Sequence, residues 1–304
     1  MQLKEINVNQ GLSEPEPEPE SGSSPVPAEL AQLAVVLATR AGELMSKGRA
    51  AGFSITTKSS ATDVVTNVDR DVERFLVTEL ARMRPGDSVM AEEGTQGRSS
   101  GSAVRWVIDP IDGTVNFVLG LPHYAVSIAA QLGGRTVAGC VLNPVSGEVF
   151  HASLGGGAFL EGGAALEGGA FGGGAQRLSG PRQIPMKEAV VATGFAYDAA
   201  VRGRQGRVLA EVLPKVGNIR RFGSAALDLC ALAAGQVDAY FEHGLNEWDY
   251  AAGALIAEEA GVALSGLHGR ALGTTMAAGA NVLIASEFFR LLADVGADLV
   301  GQDR

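Results

Sequence analysis

The hydrophobic pattern of this 304-residue chain changes character near Ala189, and that change restricts the folds open to it. Before it, apolar runs at Arg105 to Ile108, Tyr124 to Leu132, Thr136 to Leu142 and Glu148 to Ala152 read as strands. The turns Gly133-Gly134 and Asn143-Pro144-Val145-Ser146-Gly147 join them as hairpins. Beyond it, strands at Ala189 to Thr193, Val237 to Phe241 and Asn281 to Ala285 alternate with helices near Arg204 to Leu213, Ser224 to Ala234 and Trp248 to Ala260. A last helix is expected over Phe288 to Leu299. Hairpins first and alternation second predict an α/β (α+β) chain in two lobes, 28–185 and 186–304, that share a cleft.

Two helices precede the strands. Leu30, Leu33, Leu37, Ala41 and Leu44 recur at helical spacing up to an expected stop at Gly48. Val68, Val72, Phe75, Leu76, Leu80 and Met83 repeat the pattern after a Thr66 cap and before Pro85. Residues 1–27, where Glu14, Glu16, Glu18 and Glu20 alternate with prolines, are expected to be a disordered acidic tail. The glycine-rich stretch 155–174, GGGAFLEGG and its echo LEGGAFGGGA, is expected to be a mobile loop. No Lys-Ser/Thr pair follows it and no helix opens there, so it lacks the marks of a phosphate cradle.

Charge and cysteine usage remove several function classes. A formal net charge of -10 argues against direct nucleic-acid binding and requires bound cations if the substrate is itself anionic. The longest apolar stretch, Ala125 to Leu142, is broken by Gln131, Gly133, Gly134 and Arg135, so no membrane span is expected. The N-terminus lacks the order of a secretory signal. Cys140 and Cys230 lack metal-ligand spacing and read as small buried hydrophobes, which suits a reduced cytoplasm.

The segment Asp109-Pro110-Ile111-Asp112-Gly113-Thr114 follows a strand directly. Two carboxylates three residues apart, with Pro110 fixing one φ angle and Gly113 allowing a tight turn, can converge on one point, as hard divalent cations require. The Ile111 carbonyl and the Gly113 and Thr114 N–H groups would face the same space. Taken alone, this spacing also fits an Asp-rich turn, Glu92-Glu93 a solvated turn, and Asp249 a helix cap. Their co-occurrence in one chain favours the cation reading.

Glu92-Glu93, WVIDPIDGTVNF (Trp106 to Phe117) and WDYAAGALIAEEAG (Trp248 to Gly261) resemble the signature segments of the inositol monophosphatase family, in its bacterial branch. KSSATDVVTNVD (Lys58 to Asp69), GSAALDLC (Gly223 to Cys230) and DAYFEHG (Asp238 to Gly244) extend the resemblance from about Ala28 to the C-terminus. It implies a five-layer αβαβα sandwich of the sugar phosphatase type and a Mg2+-dependent phosphomonoesterase acting on myo-inositol monophosphate.

By the same resemblance, Glu92, Asp109, the Ile111 carbonyl, Asp112 and Asp249 hold two or three Mg2+ ions. Glu92 and Thr114 orient the attacking water. Asp69 supports an outer ion through water, although Thr66-x-x-Asp69 equally fits a capping pattern. Asp112, Gly113, Thr114, Gly223, Ser224, Ala225, Glu242 and Asp249 would contact a small phosphorylated metabolite, joined by Arg220 or its neighbour Arg221. Lys58 approaches the same site. His123, His151 and His268 have no ligating spacing, and His243 reads as a variable neighbour of Glu242. A homodimer is expected. Histidinol phosphate, fructose 1,6-bisphosphate and phosphoadenosine nucleotides are alternative substrates, and a regulatory partnership with the transcription machinery is an alternative of another class. The acidic tail and the glycine-rich stretch depart from the family pattern.

Overall fold

A computed structural model describes residues 26–58, 63–94, 103–163 and 174–301. In chain order the first elements are α1 (Pro27–Ala51), β1 (Ile55–Thr57), β2 (Val64–Thr66), α2 (Asn67–Met83), β3 (Ser88–Ala91), β4 (Val104–Asp112) and α3 (Thr114–Leu119). Next come β5 (Ala125–Leu132), β6 (Arg135–Asn143), β7 (Glu148–Ser153), β8 (Gly157–Gly162), β9 (Gln176–Arg177), β10 (Val190–Thr193) and α4 (Ala199–Val212). The last are β11 (Asn218–Arg220), α5 (Ala225–Ala233), β12 (Ala239–Glu242), α6 (Glu247–Glu259), β13 (Ala263–Ser265), β14 (Ala277–Ala280) and α7 (Ala285–Asp294).

Strands β3 to β9 form one sheet in chain order, antiparallel throughout except for the parallel β3–β4 pair. A second sheet has the order β11-β10-β12-β14-β13, and β1 and β2 form a separate hairpin. Period-two alternation sends side chains of the larger sheet into two different cores. Trp106, Ile108, Val126, Ile128 and Cys140 pack with Leu37 and Met45 of α1 and Leu76 of α2. Val107, Ala129, Val141 and Ala152 pack instead on α5 and α6, which bury their other sides against Ala192, Tyr240 and Ala277 of the smaller sheet. Val191, Phe241 and Ala278 on the far side of that sheet meet Val208 and Val212 of α4 and Phe288 and Leu292 of α7. The layers run helix, sheet, helix, sheet, helix, which is the αβαβα sandwich. Each fully buried Leu, Ile or Phe contributes about 2 kcal/mol of apolar transfer to these cores.

Helix α6 is sandwiched because its side chains are small. A Cβ on Gly139 of β6 would lie 3.0 Å from the Ala252 Cα, and one on Gly253 would lie 2.9 Å from the Leu229 Cβ of α5. Backbones at this distance leave no room for a methyl group. Among the described residues no helix is long and apolar enough to cross a membrane.

Five expectations need correction. Helix α1 runs past Gly48 and ends at Gly52, whose φ of 88° interrupts the helix. Gly48 serves packing instead, since a Cβ there would sit 2.9 Å from Val68 of α2. That helix also opens at Pro27, a residue suited to a first helical turn and here the last of the expected tail. Within the glycine-rich stretch, Gly157–Gly162 is strand β8, paired antiparallel with β7 and burying Ala158 and Leu160. The neighbouring strand supplies hydrogen bonds that sparse side chains do not need to supplement; residues 164–173 lie outside the described residues, as do 1–25. Finally, the strand expected at Asn281 to Ala285 lies earlier, at β14. Asn281 instead turns the chain, its Oδ1 accepting the N–H groups of Leu283 at 3.0 Å and Ile284 at 3.2 Å, and Ala285 opens α7. The final helix breaks after Asp294, where Gly296 has a φ of 68°.

Candidate active site

At the end of β4 the pairing with β5 shifts register between Asp109 and Asp112. Pro110 has no N–H for the ladder, and the Ile111 N–H is diverted to Asp109 Oδ1 at 2.9 Å. Gly113 then turns the chain with φ 88°; a Cβ there would press on the carbonyls of Gly223 at 3.0 Å and His123 at 3.1 Å. The bulge and the turn place Asp109, the Ile111 carbonyl, Asp112 and Thr114 along one wall.

Asp69 is a helix-capping residue, one of the two readings that the sequence leaves open for it. Its Oδ2 accepts the Thr66 N–H at 2.8 Å, closing a capping box at the start of α2. Its Oδ1 lies 3.1 Å from the Thr114 hydroxyl, which is also 3.0 Å from the Ile111 carbonyl, so two acceptors compete for one hydroxyl proton. One turn along α2, Glu73 is fully buried and accepts the Glu93 N–H at 2.7 Å, steadying the Glu92-Glu93 turn. Sequence reasoning missed Glu73, although four-residue spacing from Asp69 puts both acids on one helix face.

The other acids are held in the same way. Asp112 Oδ2 accepts from the Ser224 hydroxyl at 2.5 Å and from the Ala226 N–H at 2.8 Å, both at the start of α5. Asp249 forms a capping box on α6, accepting the Asn246 N–H at 2.7 Å. Glu92 meets the Lys58 ammonium at 2.8 Å, and Lys58 also pairs with Glu93.

Glu92, Asp109, Ile111, Asp112, Gly113, Thr114, Gly223, Ala225, Glu242 and Asp249 line one cleft of about 470 Å³. It lies where the carboxyl ends of β4, β10 and β12 meet the starts of α5 and α6. Ser224 stands behind it, buried, as the hydroxyl that orients Asp112. Arg220 is not in the cleft: it sits on edge strand β11, exposed, with its guanidinium on Asn218 Oδ1 and the Ile219 carbonyl. Arg221, the first residue beyond β11, is the arginine that lines the cleft, together with Lys58.

The electrostatics ask for a cation. Burial pushes the Asp109 carboxyl well up, and the charges of Glu92, Asp112 and Asp249 push it further. Burial raises Asp249 well above its ordinary value, with Asp112 adding to the effect. It also raises Asp112, against hydrogen bonds from Ser224 and Ala226, and lifts Glu92 to about 6 despite Lys58. Lys58 is itself held above its usual range, because attraction to Glu92 and Glu93 outweighs burial.

Among the described residues no three carboxylate, imidazole or thiolate groups close around a single point. The donor set nevertheless fits Mg2+, which keeps several waters and takes one or two carboxylates plus phosphate oxygens instead of an all-protein cage.

On the opposite wall of the cleft, Glu242 accepts the Tyr240 hydroxyl at 2.9 Å and is pressed on Gly194, where a Cβ would overlap it. Burial and the neighbouring Asp228 raise its carboxyl to about 8. At neutral pH it therefore carries a proton and can donate to a hydroxyl as well as accept from one.

The family model described as the inositol monophosphatase family matches residues 27–296. The inositol-1-monophosphatase SuhB of Mycobacterium tuberculosis is 44% identical over 274 residues, spanning 86% of this chain and 89% of its own. The solved structure of Mycobacterium tuberculosis SuhB superposes with a TM-score of 0.74, at 41% identity over 90% of this chain and 98% of that one. A Vibrio cholerae relative named Nus factor SuhB is 38% identical over 259 residues, 84% of this chain and 90% of its own. With the layered fold and the acid-lined cleft, these matches show that the chain belongs to the inositol monophosphatase family and is a phosphatase.

Proposed function

We propose that this phosphatase hydrolyses small phosphorylated polyols, with myo-inositol monophosphate as the first choice, in a Mg2+-dependent reaction. One observation carries the reading: four carboxylates, Asp109 and Asp112 buried and Glu92 and Asp249 half-buried, all with raised proton affinity, face one cleft. Such a site repels a phosphate unless cations reverse its field. Glu92, Asp109, the Ile111 carbonyl, Asp112 and Asp249 are the groups to hold two or three Mg2+. When bound, these ions neutralise phosphate charge and make water a better nucleophile at neutral pH.

The chain's own groups supply orientation. The Thr114 hydroxyl, pinned by Asp69, and the Glu92 carboxylate align a water for in-line attack. The Gly113 and Thr114 amides lie on the phosphate side. Gly223, Ala225, Arg221 and Glu242 receive the leaving alcohol, Glu242 through its hydroxyls. The mycobacterial relative's name, inositol-1-monophosphatase, supports the choice of substrate. A homodimer in the cytoplasm belongs to the same reading.

The test is phosphate release from a panel of myo-inositol monophosphate, histidinol phosphate, fructose 1,6-bisphosphate and a phosphoadenosine nucleotide, with and without Mg2+. We expect release only with Mg2+ and the highest kcat/KM for the inositol ester; a hundredfold preference for another member would displace it. The name of the Vibrio cholerae relative favours a second reading, docking to the transcription machinery. Silence across the whole panel, alongside a stable complex with transcription elongation factors, would put that reading first.

A further inference from the structure

The segment Phe195 to Asp198, between β10 and α4, lines the cleft and is fastened from below at three points. Gln205, buried on α4, accepts the Ala196 N–H at 2.8 Å. The Arg202 guanidinium donates to the carbonyls of Ala196 and Tyr197, each at 3.1 Å. Asp198 caps α4 by accepting the Val201 N–H at 2.8 Å. The segment's backbone is thus tied to its own helix before any ligand arrives.

What this fastening presents is an aromatic ring. Tyr197 is 43% exposed although it lines the cleft that holds Glu242 and the acids. Its hydroxyl is pushed up to about 12 by burial and by the charges of Asp63 and Asp112, so it stays protonated and serves as neither acid nor base near neutral pH. The ring face remains as its useful surface. Dispersion and desolvation are what such a face offers, and both scale with contiguous area. The C–H face of a cyclic polyol presents that area rigidly. An open-chain alcohol must freeze several torsions to match it, which cancels part of the gain.

Resting on the phosphatase reading above, we propose that Tyr197, clipped in place by Arg202 and Gln205, is a specificity-determining residue that packs on the ring of a cyclic leaving group. It favours ring-bearing phosphate monoesters over open-chain ones. Arg202 touches no substrate and acts as a positioning residue through the Ala196 and Tyr197 carbonyls.

The experiment measures kcat/KM for myo-inositol 1-phosphate and glycerol 2-phosphate on the full chain with Mg2+, and takes their ratio. Tyr197→Ala is expected to lower the ratio about tenfold, the scale of losing a good apolar contact, and to do so through KM. Tyr197→Phe keeps the ring and is expected to hold the ratio within about twofold of the wild type. Arg202→Gln, which weakens the clip, is expected to lower it about threefold, again through KM. The inference is overturned if Tyr197→Ala leaves the ratio at its starting value, or if Tyr197→Phe loses as much as Tyr197→Ala. A wild type that turns over neither ester removes the polyol-phosphate reading and this one with it. A wild type active on both, with a ratio insensitive to Tyr197, removes this one alone.

Discussion

The two walls of the cleft are built on different principles. On the acid wall, Asp109, Asp112 and Asp249 each give one oxygen to a backbone N–H within hydrogen-bond distance. Main chain anchors each of them, with the Ser224 hydroxyl as a second partner on Asp112, and their mutual repulsion is tolerated. On the facing substrate side, Glu242 is set by another side chain, Tyr240, while Arg221 and Tyr197 reach in from loops. Under the proposed function this is a division of labour: main-chain bonds anchor the acids assigned to metal and phosphate, and side chains line the wall assigned to the alcohol.

The sharpest way to break this contrast is Asp109→Asn. Activity should fall by about a thousandfold or more, the scale of losing a group that organises transition-state charge, while circular dichroism stays native. Because burial and neighbouring acids raise this carboxyl in the folded state, its ionised form costs stability at neutral pH, so the metal-free variant should melt higher than the parent. An unchanged or lower melting temperature would show that the acids do not repel one another as described.

The same sign governs Glu92. Its folded value of about 6 lies above its ordinary 4.5, so the metal-free protein should gain stability as pH falls from 7 through 6 towards 4.5. The gain is on the order of 2 kcal/mol. Glu92→Gln should flatten that part of the profile in denaturant titrations.

Predictions for the substrate side are smaller and appear in KM. Glu242→Gln should raise KM for the inositol ester about tenfold with kcat nearly held. In the parent, KM should climb as pH passes about 8 and Glu242 loses its proton, a dependence that the variant should lack. The smallest contrast separates two adjacent arginines. Arg221→Ala should raise KM about threefold, and Arg220→Ala should stay within about twofold. Equal effects would put both guanidinium groups in reach of the substrate and blur the distinction between edge strand and cleft.

Much of this was legible in the sequence because it is local. The Asp109 to Thr114 run, the Thr66 cap, the Gly133-Gly134 hairpin and the Ser224 helix start all follow from short-range stereochemistry, and each stands where residue order puts it. What could not be read depends on distant partners. Gly48 resembles a helix stop until Val68 is seen against it, and Gly157–Gly162 resembles a loop until β7 lies alongside. Ser224 sits in a motif that faces the site, yet only the tertiary distance to Asp112 shows that its hydroxyl orients an acid from behind. Arg220 ends a three-residue edge strand and Arg221 lies just beyond it, a boundary that so short a strand does not announce.

Helix α6 holds Asp249 between two sheets; Gly139 and Ala252 let it lie close on the larger sheet, and Gly253 lets it lie close to α5. It therefore acts as a shim: the girth of its side chains sets the gap between the sheets, and with it the span from Asp109 to Glu242. Enlarging Gly139 would push α6 away from the larger sheet without touching a single polar group, so residues with no chemistry of their own bear on how far apart the two walls of the cleft stand.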